Sequence, residues 1–241
     1  MPLSQKRILK QFKYSMYFNG AGNYVRINGN PTVVAPFTVS VWASVLDNGL
    51  RGFIGTRAPN EFSFDAKLYY GNRIHGDIGN GTTWMTTSAD VLFNYSLSTW
   101  YNIGYVVTQS GYAIYINGNA TATNSFPANN PIFSDANHVI AIGAASVRGL
   151  EPFYGFIAQA LIYSRALSDS EIQYNYQNPD NPITNGLVLW LQADPKYVKS
   201  NTWIDLSGYG NNGTIYGAQL IQLEKTPARI LNAKRVLGAV R

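Results

Sequence analysis

The stretch Phe37-Thr38-Val39-Ser40-Val41-Trp42-Ala43-Ser44-Val45 alternates two kinds of side chain without a break. Successive side chains of an extended strand point to opposite faces, so Val39, Val41, Ala43 and Val45 share one face and Thr38, Ser40, Trp42 and Ser44 the other. A tryptophan on the otherwise polar face predicts a sheet that is covered on both sides at this point. The same period of two begins at Tyr14. Tyr14-Ser15-Met16-Tyr17-Phe18 runs into the turn pair Asn19-Gly20, and Tyr24-Val25-Arg26-Ile27 runs into Asn28-Gly29-Asn30-Pro31.

Further strands are expected over 52–57, 62–66, 67–70, 73–78 and 83–87. A meander follows over 100–108, 112–116 and 119–123, with Asn117-Gly118 as a two-residue hairpin turn. Buried strands are expected at 139–143 and 155–163. The pattern breaks once, where Ser168-Asp169-Ser170-Glu171-Ile172 forms a capping box that opens a helix through about Tyr176. Asn178-Pro179-Asp180-Asn181-Pro182 ends it. Another short amphipathic helix is expected at the front, with Ser4 as its N-cap. Many strands and one or two short helices predict an all-β, antiparallel two-sheet sandwich. With 241 residues, 46% of them hydrophobic, one large domain is the expectation.

Charge divides the chain in three. Residues 1–13 carry Lys6, Arg7, Lys10 and Lys13 and no acid, a net +4. Residues 224–241 carry Lys225, Arg229, Lys234, Arg235 and Arg241 against Glu224, again +4. The body between has nine basic and twelve acidic residues, or −3, so the basic balance belongs to two arms and not to the domain over 14–223. Lys6, Arg7, Lys10, Lys13, Arg229, Lys234, Arg235 and Arg241 are the candidate partner-binding residues. A protein partner, including further copies of this chain, fits them better than nucleic acid, because no aromatic and basic platform accompanies them. No run reaches the 18 apolar residues of a membrane span, and residues 1–13 lack the apolar stretch of a secretory signal, so synthesis in the cytoplasm is expected. The chain has no cysteine, which excludes disulfides and thiolate zinc sites.

Several motifs together resemble the laminin G-like, concanavalin A-like jelly-roll superfamily. Ser15-Met16-Tyr17-Phe18-Asn19-Gly20 with Asn23-Tyr24-Val25-Arg26-Ile27 is similar to that family's opening, and Phe37 to Trp42 to its next strand. Trp100-Tyr101-Asn102-Ile103 has Asn102 where the family has His, and Tyr115-Ile116-Asn117-Gly118 has Asn117 where it has Asp. Ile142-Gly143, Phe153-Tyr154-Gly155-Phe156-Ile157 and the run from Ile162 to Ile172 complete the resemblance, which implies a jelly roll. The family's first segment is missing from the front. It resembles instead Gly186-Leu187-Val188-Leu189-Trp190-Leu191 and the run from Ile204 to Gly217. Two readings compete: a truncated second domain, or a circular permutation in which 185–217 supplies the first strands of the same sandwich. Permutation accounts better for Leu187, Leu189, Trp190 and Trp203, which a lone fragment could not bury.

The resemblance also implies chemistry to look for. Glucanases of the superfamily place acids at alternating strand positions, and Glu61 with Asp65 is the nearest approach, without the central acid. His75 and His138 are the only histidines and neither sits in a nucleophile motif, so no catalytic residue and no enzyme is expected. Relatives hold calcium on the sandwich rim, and Asp205, Asn211 and Asn212 are the candidate ligands here, set against the simpler reading that they satisfy their own turn. Otherwise no cofactor is expected. Asn80, Asn94, Asn119 and Asn212 head Asn-x-Ser/Thr sequons, most of which the abundance of Asn explains. The leading functional expectation is a non-enzymatic structural protein of a virion or other assembled particle. The alternative is a lectin-like module that binds glycan, with or without calcium.

Overall fold

The computed structural model describes residues 11–57, 62–70 and 72–223. In chain order the first strands are β1 (Tyr14–Asn19), β2 (Tyr24–Ile27), β3 (Val33–Val34), β4 (Phe37–Val45), β5 (Arg51–Gly55), β6 (Phe64–Tyr69) and β7 (Arg73–Gly79). There follow β8 (Trp84–Thr86), β9 (Val91–Leu92), β10 (Trp100–Thr108), β11 (Gly111–Ile116), β12 (Asn119–Ser125), β13 (Ile132–Ser134), β14 (Ala141–Ile142) and β15 (Tyr154–Tyr163). Helix α1 (Asp169–Gln177) precedes β16 (Leu187–Gln192), β17 (Val198–Lys199), β18 (Thr202–Trp203), β19 (Gly213–Tyr216) and β20 (Gln219–Gln222).

One sheet runs β12-β11-β10-β4-β15-β1-β20, with β16 also paired to β15. The other runs β17-β18-β19-β2-β14-β5-β6-β7-β8, with β9 also on β7, and β3 pairs with β13 in a small sheet of its own. All named pairings are antiparallel, and the core fills the space between the two large sheets. The fold is the jelly-roll sandwich expected from the sequence.

All nine residues of β4 are buried. Val39, Val41, Ala43 and Val45 join the central core, while Trp42 lies on the other face, stacked on Tyr176 at 5.4 Å and edge-on to Phe12 at 5.7 Å. Helix α1 therefore supplies the outer cover that the tryptophan demanded. Its start is the capping box read from sequence: the Ser168 hydroxyl accepts the Glu171 N–H at 3.3 Å and the Glu171 carboxylate accepts the Ser168 N–H at 2.9 Å. The guanidinium of Arg165 grips the same carboxylate at 2.6 and 2.9 Å and, with that N–H, holds its pKa at about 2.

The segment 185–217 is woven into both sheets. β16 pairs with Gln159–Tyr163 of β15, β19 pairs with β2 from Gly213 opposite Ile27 to Tyr216 opposite Tyr24, and Leu189, Leu191 and Trp203 are fully buried in the core. The Trp203 indole N–H donates to the Gln192 carbonyl at 2.9 Å, so the buried ring leaves no unpaired donor. β20 then lies along β1, with Tyr14 opposite Gln222 and the Leu223 N–H on the Lys13 carbonyl.

Two details differ from the sequence reading. The ranges 62–66 and 67–70, expected as separate strands, give the single strand β6, in which Lys67 is paired with acids on its own sheet face. The buried strand expected at 139–143 shortens to β14, while the one helix named among the described residues falls within the one or two expected. The expected N-terminal helix from Ser4 and the arm over 224–241 lie outside the described residues.

Truncation after Asn181 strips β19 from one edge of β2 and β16 from half of one edge of β15, so the remaining chain is expected to be insoluble, as judged by partition after expression. Trp203→Ala in the full chain is expected to lower stability by roughly 3–5 kcal/mol in urea titration, the cost of a large core cavity.

Candidate functional site

Strands β6 and β7 place Phe64, Ala66, Leu68, Ile74 and Ile78 in the core, which turns Asp65, Lys67 and Tyr69 and the facing Arg73, His75 and Asp77 to the outer face of their sheet. Register sets Asp65 opposite Asp77 and Lys67 opposite His75. The Lys67 ammonium lies 3.0 Å from Asp65, 2.9 Å from Asp77 and 3.0 Å from Glu151, and Arg57 also reaches Asp65 at 2.9 Å. His75 links Asp77, at 3.1 Å from Nε2, to Asp90, at 2.5 Å from Nδ1, and Arg73 closes on Asp90 at 3.1 Å. Tyr69 stacks on His75 at 4.8 Å.

Burial makes this network electrostatically demanding. Asp65 is wholly enclosed, and desolvation with the nearby charges of Asp77 and Glu151 raises its pKa despite Lys67 and Arg57. Asp77 goes the other way. Against its own desolvation, the His75 hydrogen bond and the Lys67 ammonium hold it at about 2. The His75 pKa is raised, with desolvation overcome by the hydrogen bond and charge of Asp77 and by Asp90. Four carboxylates meet three permanent cations here, so one further proton, on His75 or Asp65, brings the cluster to neutrality.

Asp65, one of the two acids singled out from sequence, is thus a structural counter-ion. Hydrolysis of a glycosidic bond needs two carboxyl groups facing that bond, and Asp65 faces Lys67 and Arg57 instead. Glu61 lies outside the described residues. His138, buried, sits with Nδ1 2.8 Å from Asp135 in a tight local turn.

The structure does bring Asp205, Asn211 and Asn212 together. Asp205 Oδ1 accepts the N–H groups of Trp190 and Ser207, each at 2.9 Å, and Oδ2 accepts the Ser207 hydroxyl at 2.7 Å and the Asn211 N–H at 2.9 Å. The Asp205 N–H donates to the Asn212 side-chain oxygen at 2.9 Å, and the Asn211 amide donates to the Val188 carbonyl at 2.8 Å. These bonds tie the turn to β16, and a cation there would compete with four N–H and O–H donors for one carboxylate. Among the described residues no three His, Asp or Glu side chains are grouped to hold a metal ion. Of the arm residues, Lys13 is described and exposed, while Lys6, Arg7, Lys10, Arg229, Lys234, Arg235 and Arg241 lie outside the described residues.

A groove of about 370 Å³ opens where the loop after β9 meets the β11–β12 hairpin. Phe93, Tyr101 and Ile116 form its apolar part, with Phe93 edge-on to Tyr101 at 5.0 Å, and Asn94, Ser96, Asn117, Asn119 and Thr121 supply amides and hydroxyls. Asn117 takes the left-handed conformation of the hairpin turn, at φ 53°, and its side-chain oxygen accepts the Asn102 N–H at 3.0 Å. The sequence carried a signal for this groove. Both residues that define each of two sequons, Asn94 with Ser96 and Asn119 with Thr121, line it, although the linear pattern did not bring them together.

A family model described as the concanavalin A-like lectin/glucanases superfamily matches residues 19–173. The chain belongs to this superfamily. Solved jelly rolls of similar shape include a Bacteroides ovatus protein provisionally assigned to carbohydrate binding, with 17% identity and a TM-score of 0.67 over 88% of this chain. The chain spans 60% of that protein's length. A heptameric SAP-like pentraxin from Limulus polyphemus has 12% identity and a TM-score of 0.58 over 87% of this chain and 95% of its own. Domain 4 of an extracellular arabinanase from Geobacillus stearothermophilus, solved with arabinotriose, has 22% identity and a TM-score of 0.50 over 66% of this chain and 75% of its own. At these identities the likeness is one of fold. No curated protein matches the sequence. Among the described residues no helix is long and apolar enough to cross a membrane.

The buried network gives this member of the superfamily a pH signature. A raised His75 pKa means a contribution to stability that is complete below the unfolded value, about 6.5, and is lost as pH rises through the folded value. Asp77, lowered to about 2, contributes above the unfolded value near pH 4 and loses that contribution as pH falls through about 2. Urea titrations of wild type and His75→Gln are expected to differ most below about pH 6.5 and to converge at higher pH.

Proposed function

We propose that this chain is a non-catalytic carbohydrate-binding domain of the lectin type. The observation that carries the reading is the groove at the β11–β12 hairpin, which sets aromatic and aliphatic surface beside amides and hydroxyls. A sugar ring presents the complement, a face of C–H groups rimmed by hydroxyls, and such sites are largely apolar with a few placed polar groups. The superfamily and the carbohydrate-linked proteins of similar fold support the reading. So does the ion pairing of Asp65, which removes one acid of the only glucanase-like pair read from sequence.

The virion or assembly role expected from the basic arms finds no support in the comparisons, and all but Lys13 of the residues that suggested it lie outside the described part of the chain. Binding of full-length protein to a glycan array is the test. Retention of at least one class of carbohydrate, with no shortening of the bound oligosaccharide on long incubation, is the expected result. An array with no carbohydrate bound would remove the proposal, and release of shorter products would make the protein a hydrolase.

A further inference from the structure

The groove has no charged side chain in its lining, and that is unusual in its setting. A few residues away in sequence, Arg73, His75, Asp77 and Asp90 are locked in ion pairs with one another, and Asn72, which adjoins Arg73, donates from its amide to Asn94 at 3.3 Å. Charge is present beside the groove and is kept out of it. An acidic sugar carries a carboxylate or sulfate that loses hydration on entering such a site, and the lining has no cationic side chain to compensate and no carboxylate to hold a metal ion that could.

What the lining does offer is neutral and placed. Asn117 is 6% exposed, and its amide is fixed by the bond from the Asn102 N–H to its oxygen, which leaves its NH₂ group without a partner among the described residues. Asn94 has its oxygen taken by Asn72 and is likewise left with a free NH₂. Asn119 is the converse: its NH₂ donates to the Asn117 carbonyl at 3.0 Å and its oxygen has no donor among the described residues. Thr121 donates to the Ile114 carbonyl at 2.9 Å, which leaves its hydroxyl oxygen as an acceptor. Two donors and two acceptors thus stand around the Tyr101 and Ile116 floor, and hydroxyls, which both give and receive, are the groups that satisfy such a set.

From this we infer that the groove lined by Asn94, Asn117, Asn119 and Thr121 binds uncharged glycan residues directly through amide and hydroxyl contacts, without a metal ion. The inference rests on the carbohydrate-binding reading and narrows it to one site, one class of sugar and one mode of contact. Its dimensions agree, since about 370 Å³ falls at the small end of the roughly 300–1,000 Å³ typical of small-molecule sites.

The test is an array of neutral, sialylated and sulfated glycans read with the full chain in the presence and absence of EDTA, and then with the Asn94→Ala/Asn119→Ala double variant. Both residues are exposed, so the melting temperature is expected to stay at the wild-type value and serves as the check on folding. Expected are neutral ligands only, no change with EDTA, and at least about a tenfold loss of affinity in the double variant, the scale of one or two lost hydrogen bonds. Tyr216→Ala, on β19 and separated from β7 and β9 by the strands β2, β14, β5 and β6 of their sheet, is expected to bind as wild type.

A preference for acidic glycans, or loss of binding with EDTA, overturns the proposed chemistry. Neutral binding that the double variant retains, or that Tyr216→Ala loses instead, overturns the site and leaves the carbohydrate reading intact. Wild-type protein that binds nothing on the array overturns both. Should the double variant melt early, Asn94→Ala alone, with the same array and the same expected loss, decides the site.

Discussion

Strand β15 is the element to which the rest of the structure is fitted. All ten of its residues, Tyr154–Tyr163, are buried, which requires cover on both faces and a partner along both edges. β4 serves one edge for nearly the full length. The other edge is divided: β1 reaches Tyr154 to Ile157, and the remainder from Gln159 to Tyr163 is taken by β16. Even its one buried polar side chain is accounted for, since the Gln159 amide donates to the Pro179 carbonyl at 2.6 Å. The chain that returns after α1 is a requirement of this strand. Without β16, five consecutive residues in the middle of a sandwich would present open hydrogen-bonding groups, and the core would lose Leu189, Leu191 and Trp203 with them.

The local parts of this arrangement were legible in the sequence for a simple reason. Alternation along Phe37–Val45, the Asn117-Gly118 turn and the Ser168 capping box are short-range signals whose geometry is fixed by neighbouring residues. The Trp and Leu content of 185–217 demanded a core, and Leu189, Leu191 and Trp203 lie in one. The charged face of β6 and β7 was not legible. Lys67 and Asp77 lie on different strands, Glu151 comes from a loop eighty-four residues after Lys67, and what makes them a cluster is the register of Asp65 against Asp77. The groove was hidden for the same cause: Asn94 and Asn119 meet only because a loop from one sheet edge crosses toward a hairpin of the other sheet.

The two regions divide the polar chemistry of the molecule between them. In the network, charge is spent internally: each carboxylate faces a cation, with desolvation prevailing at Asp65 and the His75 hydrogen bond and Lys67 ammonium prevailing at Asp77. Such buried pairs add little net stability, because removal from water costs about what the attraction returns. Here they link β6, β7 and the Glu151 loop. In the groove, by contrast, hydrogen-bonding capacity is left over, and none of it is ionic.

The pairing of β1 with β20 has a consequence for the parts of the chain beyond the sandwich. Tyr14 stands opposite Gln222, and the Leu223 N–H meets the Lys13 carbonyl, so the chain enters and leaves the domain at one point. The two sequences that continue from there each carry a net +4. Two basic sequences thus join the domain at neighbouring residues, where their like charges repel one another and salt screens that repulsion.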